Sequence, residues 1–234
     1  MSVPSPQSAE FDLYSDDYDD ALQRGIAVSG EDKKFFADRR VRWLATYCRA
    51  HGITPRTVMD FGCGSGQAAP HLREQLAVRD VVGVDVSEGL LRVARRDFGS
   101  DHVRFLTPDE YAPAGQVDLV FCNGVFHHIP PAERPAALRY IFQSLRPGGV
   151  FALWENNPWN PGTRYVMSRI PFDRDAVTLS PPGARDMLRV AGFEVCRTDF
   201  LFIFPRVLRW LRWIEPHVSR LPLGAQYQVL AIKS

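Results

Sequence analysis

The chain has 234 residues, 45% of them hydrophobic and 24% charged, which supplies enough apolar material for a large core and excludes fibrous and generally disordered classes. Lys plus Arg number 28 against 27 Asp plus Glu, a net charge of +1, so no strong overall field draws the chain to nucleic acid or to an anionic membrane, while a local basic patch stays compatible with the balance. The length fits a single α/β domain with its covering helices.

Four cysteines, Cys48, Cys63, Cys122 and Cys196, lie 15, 59 and 74 residues apart, without a CxxC pair for zinc or a dense disulfide framework, which fits a reducing compartment. The N-terminus is polar and proline-bearing with no basic segment leading into an apolar one. No apolar run approaches the ~18 residues of a membrane span. A cytoplasmic address, with no stable membrane insertion, is the expectation; oligomeric state is open.

Residues 1–10 read as an arm, followed by helices over 12–24 and 31–50, the second with Ser29 and Asp32 spaced as a capping box. From Val58 the pattern changes to short apolar runs, VMDFG, VVGVD, VRFL, VDLVFC and GGVFALW, separated by helix-like stretches. Continuous apolar runs are strands covered on both faces, hence a mostly parallel, doubly wound α/β sheet. The intervening helices are expected over 67–76, over 88–97 with Ser87 as cap, and from Pro131 to Leu145, where Pro147, Gly148 and Gly149 stop the chain. The stretch 155–178 is too long and polar for a routine connection and reads as a functional insertion. Ser180 and Pro181 open a further helix ending at Gly192. Two final strands, 193–204 and 226–233, flank a second insertion over 205–224.

Chemistry concentrates at Asp60-Phe61-Gly62-Cys63-Gly64-Ser65-Gly66, where a strand runs into a glycine-spaced turn and then a helix, the glycines letting backbone approach a ligand. A second strand ends at Asp85, where a carboxylate at the carboxyl edge can accept hydrogen bonds from both ribose hydroxyls. The pair describes a nucleoside site.

The order DFGCGSG, GVDVS, VDLVFCNGVFHHIP, LRPGGVFALWE over 58–154 resembles the class I S-adenosylmethionine-dependent methyltransferases, particularly the type 11 and type 12 small-molecule group. The resemblance implies a seven-stranded Rossmann-like sheet whose last strand, 226–233, inserts antiparallel beside the fifth. It also implies a cofactor site: Asp60, Gly62, Cys63, Gly64 and Gly66 around the methionine part of S-adenosylmethionine, Asp85 on the ribose and Val86 beside the adenine. Asp109 matches the acid that meets the adenine amine, although Thr107 stands where a small residue is usual. Asn123 and Gly124 fall beside the methyl-bearing sulfur. Tyr18, four residues after Tyr14 on the first helix, is expected to help close over the cofactor.

Methyl transfer needs alignment and exclusion of water, worth roughly 7 to 11 kcal/mol, and a base for the acceptor's proton, worth about 10² to 10⁴ in rate. His127 and His128 stand where such a base is needed; both also have a structural reading, in which they organise the strand end. Neighbours on a strand point opposite ways, so at most one is expected to face the acceptor. Glu155, Asn156, Asn157, Trp159, Arg164 and Tyr165 offer hydrogen bonds and stacking surface for a small-molecule acceptor, a natural-product, sugar or lipid-linked intermediate methylated on oxygen, nitrogen or carbon, beneath a lid built from the two insertions. Arg206, Arg209 and Arg212 alternate with apolar and aromatic residues, suiting a lid helix, a dimer contact, or a lipid-linked or flat aromatic acceptor. No metal site is expected, since nothing completes a ligand set around the histidines.

The rival activity is a nicotinamide-dependent oxidoreductase. Spacing of GxGxG in place of GxGxxG, and the absence of a tyrosine followed four residues later by lysine, oppose it. A non-catalytic S-adenosylmethionine-binding module is a third reading. Nucleic acid as acceptor is disfavoured by near-neutral charge and by the lack of an NPPY-like tetrapeptide at Asn123.

Overall fold

A computed structural model describes residues 23–170 and 176–234. The apolar runs form seven strands: β1 (Thr57–Phe61), β2 (Asp80–Val84), β3 (Val103–Leu106), β4 (Val117–Asn123), β5 (Leu145–Asn156), β6 (Phe193–Leu201) and β7 (Gln226–Lys233), in one sheet of order β3-β2-β1-β4-β5-β7-β6. The four pairings from β3 to β5 are parallel, and β7 runs antiparallel to both β5 and β6. Both faces are covered, which is why β4 over Leu119–Cys122 and β5 over Val150–Trp154 are continuously apolar rather than alternating.

On one face pack α1 (Lys33–Ala50), α2 (Ala69–Gln75) and α3 (Glu88–Phe98), burying Val41, Leu44, Leu72 and Leu91 against Val58, Phe121 and Trp154. On the other pack α4 (Arg134–Ser144) and α6 (Pro181–Val190), with Leu138, Ile141, Ala184 and Leu188 against Val120, Phe151 and Tyr227. A 3₁₀ turn (Ala27–Ser29), a short helix, α5 (Pro161–Met167), a 3₁₀ segment (Arg206–Ile214) and α7 (Glu215–Val218) are also present. The last strand is the antiparallel β7, as expected.

Several local expectations are corrected. The helix expected over 12–24 lies almost wholly outside the described residues. Asp32, not Ser29, caps α1, its carboxylate accepting from Phe35 N at 2.7 Å, while Ser29 Oγ donates to Ile26 O. Pro131 sits in a turn before α4, which begins at Arg134 with Pro135 in its first turn. Pro147-Gly148-Gly149 does not end a helix: it forms an irregularity inside β5, across which the pairing with β4 shifts register. β6 stops at Leu201, because Phe202 takes a left-handed φ of 64°, which breaks ladder geometry.

Order reverses between β1 and β4, whose helices leave to opposite faces. In open α/β sheets the ligand crevice lies beyond the strands' carboxyl ends at this point.

Candidate active site

Gly62, Cys63, Gly64, Ser65 and Gly66 turn the chain from β1 toward α2. Gly64 adopts a φ of 51° and has no heavy atom within 4 Å of where a Cβ would stand, so the loop leaves an open cradle along its backbone. Gly66, at a φ of 80°, is required for a different reason: a Cβ there would stand 2.9 Å from the Phe105 ring and 3.0 Å from Ala94 Cβ. Gly66 lines neither of the two cavities described below, so its service is to let the loop pack down on the sheet.

A cavity of about 450 Å³ and another of about 330 Å³ meet at this loop. Gly62, Gly64, Asn123, Gly124 and His128 line both, which makes them one trench across the switch point. The smaller limb also has Asp85, Val86, Leu90 and Pro108 on its walls. Asp85 Oδ2 accepts from Gly64 N at 2.8 Å and Oδ1 from Ser87 N at 3.0 Å. These bonds orient the group at the wall of the smaller limb. Asp109 is exposed and lines neither limb, whereas Pro108 before it does.

The larger limb begins at Asp60, Cys63 and Asn123. Asp60 is buried, and burial together with the Asp85 charge pushes its carboxyl up to about 7. Burial, reinforced by Asp85 and Asp60, holds the Cys63 thiol well above its ordinary value, so Cys63 is a packed thiol and not a nucleophile. Asn123 Oδ1 is buried in the trench without a hydrogen-bond partner among the described residues, an acceptor in need of a donor.

His127 and His128 follow Gly124 in a turn rather than on a strand. The alternation expected of strand neighbours therefore does not apply. Their rings lie with centroids 4.1 Å apart, and both line the larger limb. His127 is buried, and its Nδ1 lies 2.6 Å from Glu155 Oε2, while Glu155 Oε1 accepts from Phe126 N at 2.8 Å. One carboxylate at the end of β5 thus holds both the turn's backbone and its imidazole. In a neutral imidazole, a carboxylate facing Nδ1 favours the tautomer with its proton on Nδ1.

Placement of the expected acceptor residues is mixed. Glu155 is 1% exposed and stands behind His127 rather than on a roof. Asn156 lines the larger limb. Asn157 is buried and braces the loop before β7 through Pro222 O and Gly224 O. Trp159, Arg164 and Tyr165 point outward, all three exposed; the inward face of α5 is Thr163, Val166 and Met167, because Asn160 caps the helix and sets its rotation. Tyr14 and Tyr18 lie outside the described residues.

The wall opposite α5 was not read from the sequence. It comes from α1, where Lys33, Phe36, Ala37 and Arg40 share one face at spacings of three and four, and from Phe202, Phe204 and Pro205 after β6. Phe36 and Phe202 meet with ring centroids 4.8 Å apart and planes tilted by 56°, with the Arg40 guanidinium over both rings. The helical spacing was legible; which way that face looks depends on a contact with β6 from the far end of the chain.

A parallel sheet with a glycine-cradled trench at its switch point and a carboxylate ending β2 is the architecture of a nucleoside-cofactor-binding α/β protein. A family model described as a methyltransferase domain matches residues 58–149. The chain is 30% identical over 213 residues to the ubiquinone biosynthesis O-methyltransferase of Acinetobacter baumannii (strain SDF), covering 83% of this chain and 84% of that enzyme. It is 35% identical over 139 residues to trans-aconitate 2-methyltransferase of Azoarcus sp. (strain BH72), a match that covers 58% of this chain and spans about half, 53%, of that relative. Among solved structures, a 1,6-didemethyltoxoflavin-N1-methyltransferase from Burkholderia thailandensis, holding its substrate and S-adenosylhomocysteine, aligns with a TM-score of 0.60 at 21% identity over 100% of this chain and 92% of its own. An S-adenosylmethionine-dependent methyltransferase from Archaeoglobus fulgidus aligns with a TM-score of 0.58 at 18% identity, over 82% and 94% of the two chains. The chain belongs to the class I S-adenosylmethionine-dependent methyltransferases, and its cofactor is S-adenosylmethionine. The trench fits that group: an open backbone cradle at Gly64, an oriented carboxylate at Asp85 on the wall, and an orphaned acceptor at Asn123.

Proposed function

We propose that the protein methylates an oxygen of a small organic acceptor that carries an ionisable hydroxyl on an apolar, flat body. The observation that carries this reading is the buried His127–Glu155 pair, 2.6 Å apart, on the wall of the larger limb. A carboxylate acceptor would need no base, and a base held this way is wasted on one. Phe36, Phe202 and Phe204 offer the acceptor an aromatic wall. The names of the relatives, an O-methyltransferase among them, are in keeping with small acceptors.

In this reading Asp85 and Val86 hold the cofactor's nucleoside in the smaller limb, and Asp60, Gly62, Cys63, Gly64, Asn123 and Gly124 surround its amino-acid part. Bound there, the cofactor supplies a methyl carbon attached to a cationic sulfur that leaves as a neutral thioether. His127 takes the acceptor's hydroxyl proton on Nε2, and Glu155 stabilises the imidazolium that results. His128, lining both limbs, keeps the two ligands in register. The chain around α5 and Phe204-Pro205 covers the trench as a lid that excludes water; Arg164, Trp159 and Tyr165 belong to its outer surface.

The test is methylation of a panel of phenols, enols and carboxylic acids, read by mass spectrometry as methyl gain. Hydroxyl acceptors should react, and His127→Ala should lower kcat by about 10² or more with S-adenosylhomocysteine binding retained. Glu155→Gln should move the acidic limb of the pH–rate profile to lower pH, since the imidazolium loses its counter-charge. Methylation of carboxylic acids only, with His127→Ala at the wild-type rate, would sink the reading.

A further inference from the structure

Between β6 and β7 the chain reads Arg206-Val207-Leu208, Arg209-Trp210-Leu211, Arg212-Trp213-Ile214: three triplets, each a cation, an apolar or aromatic residue and an aliphatic one. It is folded as a 3₁₀ segment, with one departure at Leu208. A 3₁₀ helix has three residues per turn, so side chains at i and i+3 eclipse. A three-residue repeat on such a helix becomes three stripes, which an α-helix would have scattered around its circumference.

The stripes have different fates. Leu211 and Ile214 are half-buried. Arg206 donates to Gly30 O, and Arg212 pairs with Glu31 at 2.8 Å and stacks over Phe35, which ties the segment to the start of α1. Val207, Trp210 and Trp213 are left 82%, 67% and 70% exposed, with Arg209 exposed beside them. Over 203–220 the one acid is Glu215, and it is buried, accepting from Ile203 N and Phe204 N and pairing with Arg39. The outward face of this segment therefore offers apolar rings and positive charge with no carboxylate of its own, on a backbone held from below.

We propose that the Val207-Trp210-Trp213 stripe, with Arg209, seats the protein on the surface of anionic lipid bilayers. Indole rings favour the headgroup level, where an apolar body and an N–H are both accommodated, and a guanidinium above them meets lipid phosphate. A second copy is the poorer occupant, since pairing the stripe with itself opposes one arginine rank to another. Phe204, Pro205 and Arg212 of this same segment line the larger cavity, so a docked molecule would have the mouth of its trench at the membrane surface. Among the described residues no helix is long and apolar enough to cross a membrane; the association is peripheral.

Flotation of the full chain with vesicles of 70% phosphatidylcholine and 30% phosphatidylglycerol, against phosphatidylcholine alone, tests this at about 0.1 M salt, where the Debye length is near 10 Å. Wild type should float with the anionic vesicles and far less with the neutral ones. Trp210→Ser/Trp213→Ser should lose at least tenfold of the association, and Arg209→Ala about fivefold, the equivalent of ~1 kcal/mol for one cation at an anionic surface. None of these side chains lines either cavity, so S-adenosylhomocysteine affinity should stay at the wild-type value in all of them, which reports an intact fold. Wild type that stays with the pellet fraction, or a folded double variant that floats as wild type does, overturns the proposal. A concentration-dependent dimer abolished in the double variant, without vesicle association, overturns it in favour of a contact between copies.

Discussion

Asp85 has two obligations, one to its own chain and one to the cofactor. It accepts from Gly64 N and Ser87 N, and hydrogen bonds to a charged group are worth about 1.5–3 kcal/mol each. Asp85→Ala should therefore weaken S-adenosylhomocysteine binding by roughly tenfold to hundredfold in calorimetry, through loss of the ribose acceptor and of the loop's anchor together. Asp60 carries a different consequence. Its carboxyl is raised to about 7 in the folded chain, by burial first and Asp85 second, from an ordinary value of 3.8. The native state thus holds a proton that the unfolded chain releases, so this group's contribution is complete at pH below about 4 and is lost as pH rises toward 7. Denaturant unfolding of wild type and Asp60→Asn across pH 4–8 should show the difference widening with pH in favour of the variant. Binding of a cationic cofactor beside Asp60 should release a proton near pH 6–7, visible as a dependence of calorimetric enthalpy on buffer. The acids at 60 and 85 were readable from strand ends; the shift at Asp60 was not, because it depends on two strands lying side by side.

The turn between β2 and α3 shows how an element and the site share one set of bonds. Ser87 is buried, caps α3 by accepting from Leu90 N at 3.2 Å, and gives its own N–H to Asp85. Loss of an N-cap costs about 1 kcal/mol, so Ser87→Ala should lower unfolding free energy by about that amount in urea and leave cofactor affinity nearly unchanged, since the bond to Asp85 is a backbone one. That cap was legible as Ser87 ahead of an amphipathic run. The inward face of α5 was not: Arg164 and Tyr165 are the residue types that attract attention, yet the cap at Asn160, itself bonded to Leu223 O, rotates Thr163, Val166 and Met167 toward the cavity. Composition ranks side chains by chemistry, whereas a helix presents them by phase.

Taken whole, the trench joins groups from β1, β2, β4, β5, α1 and the chain after β6, so ligand and fold should stabilise each other. At a hundred times its dissociation constant, S-adenosylhomocysteine contributes about 2.7 kcal/mol, which in a chain of this length should raise Tm by roughly 5–10 °C; a thermal shift near zero would mean that the trench does not take it. The strand sequence, the glycine loop and the acid at 85 followed from local rules, because continuous apolar runs, left-handed turns and strand-end carboxylates are set by near neighbours along the chain. The antiparallel β7 was anticipated by resemblance. The tertiary structure alone paired Glu155 with His127 across 28 residues of chain, turned α1 and Phe202 into one aromatic wall, and left Trp210 and Trp213 outside, since each of these depends on contacts between residues remote in sequence, whose energies no local pattern encodes.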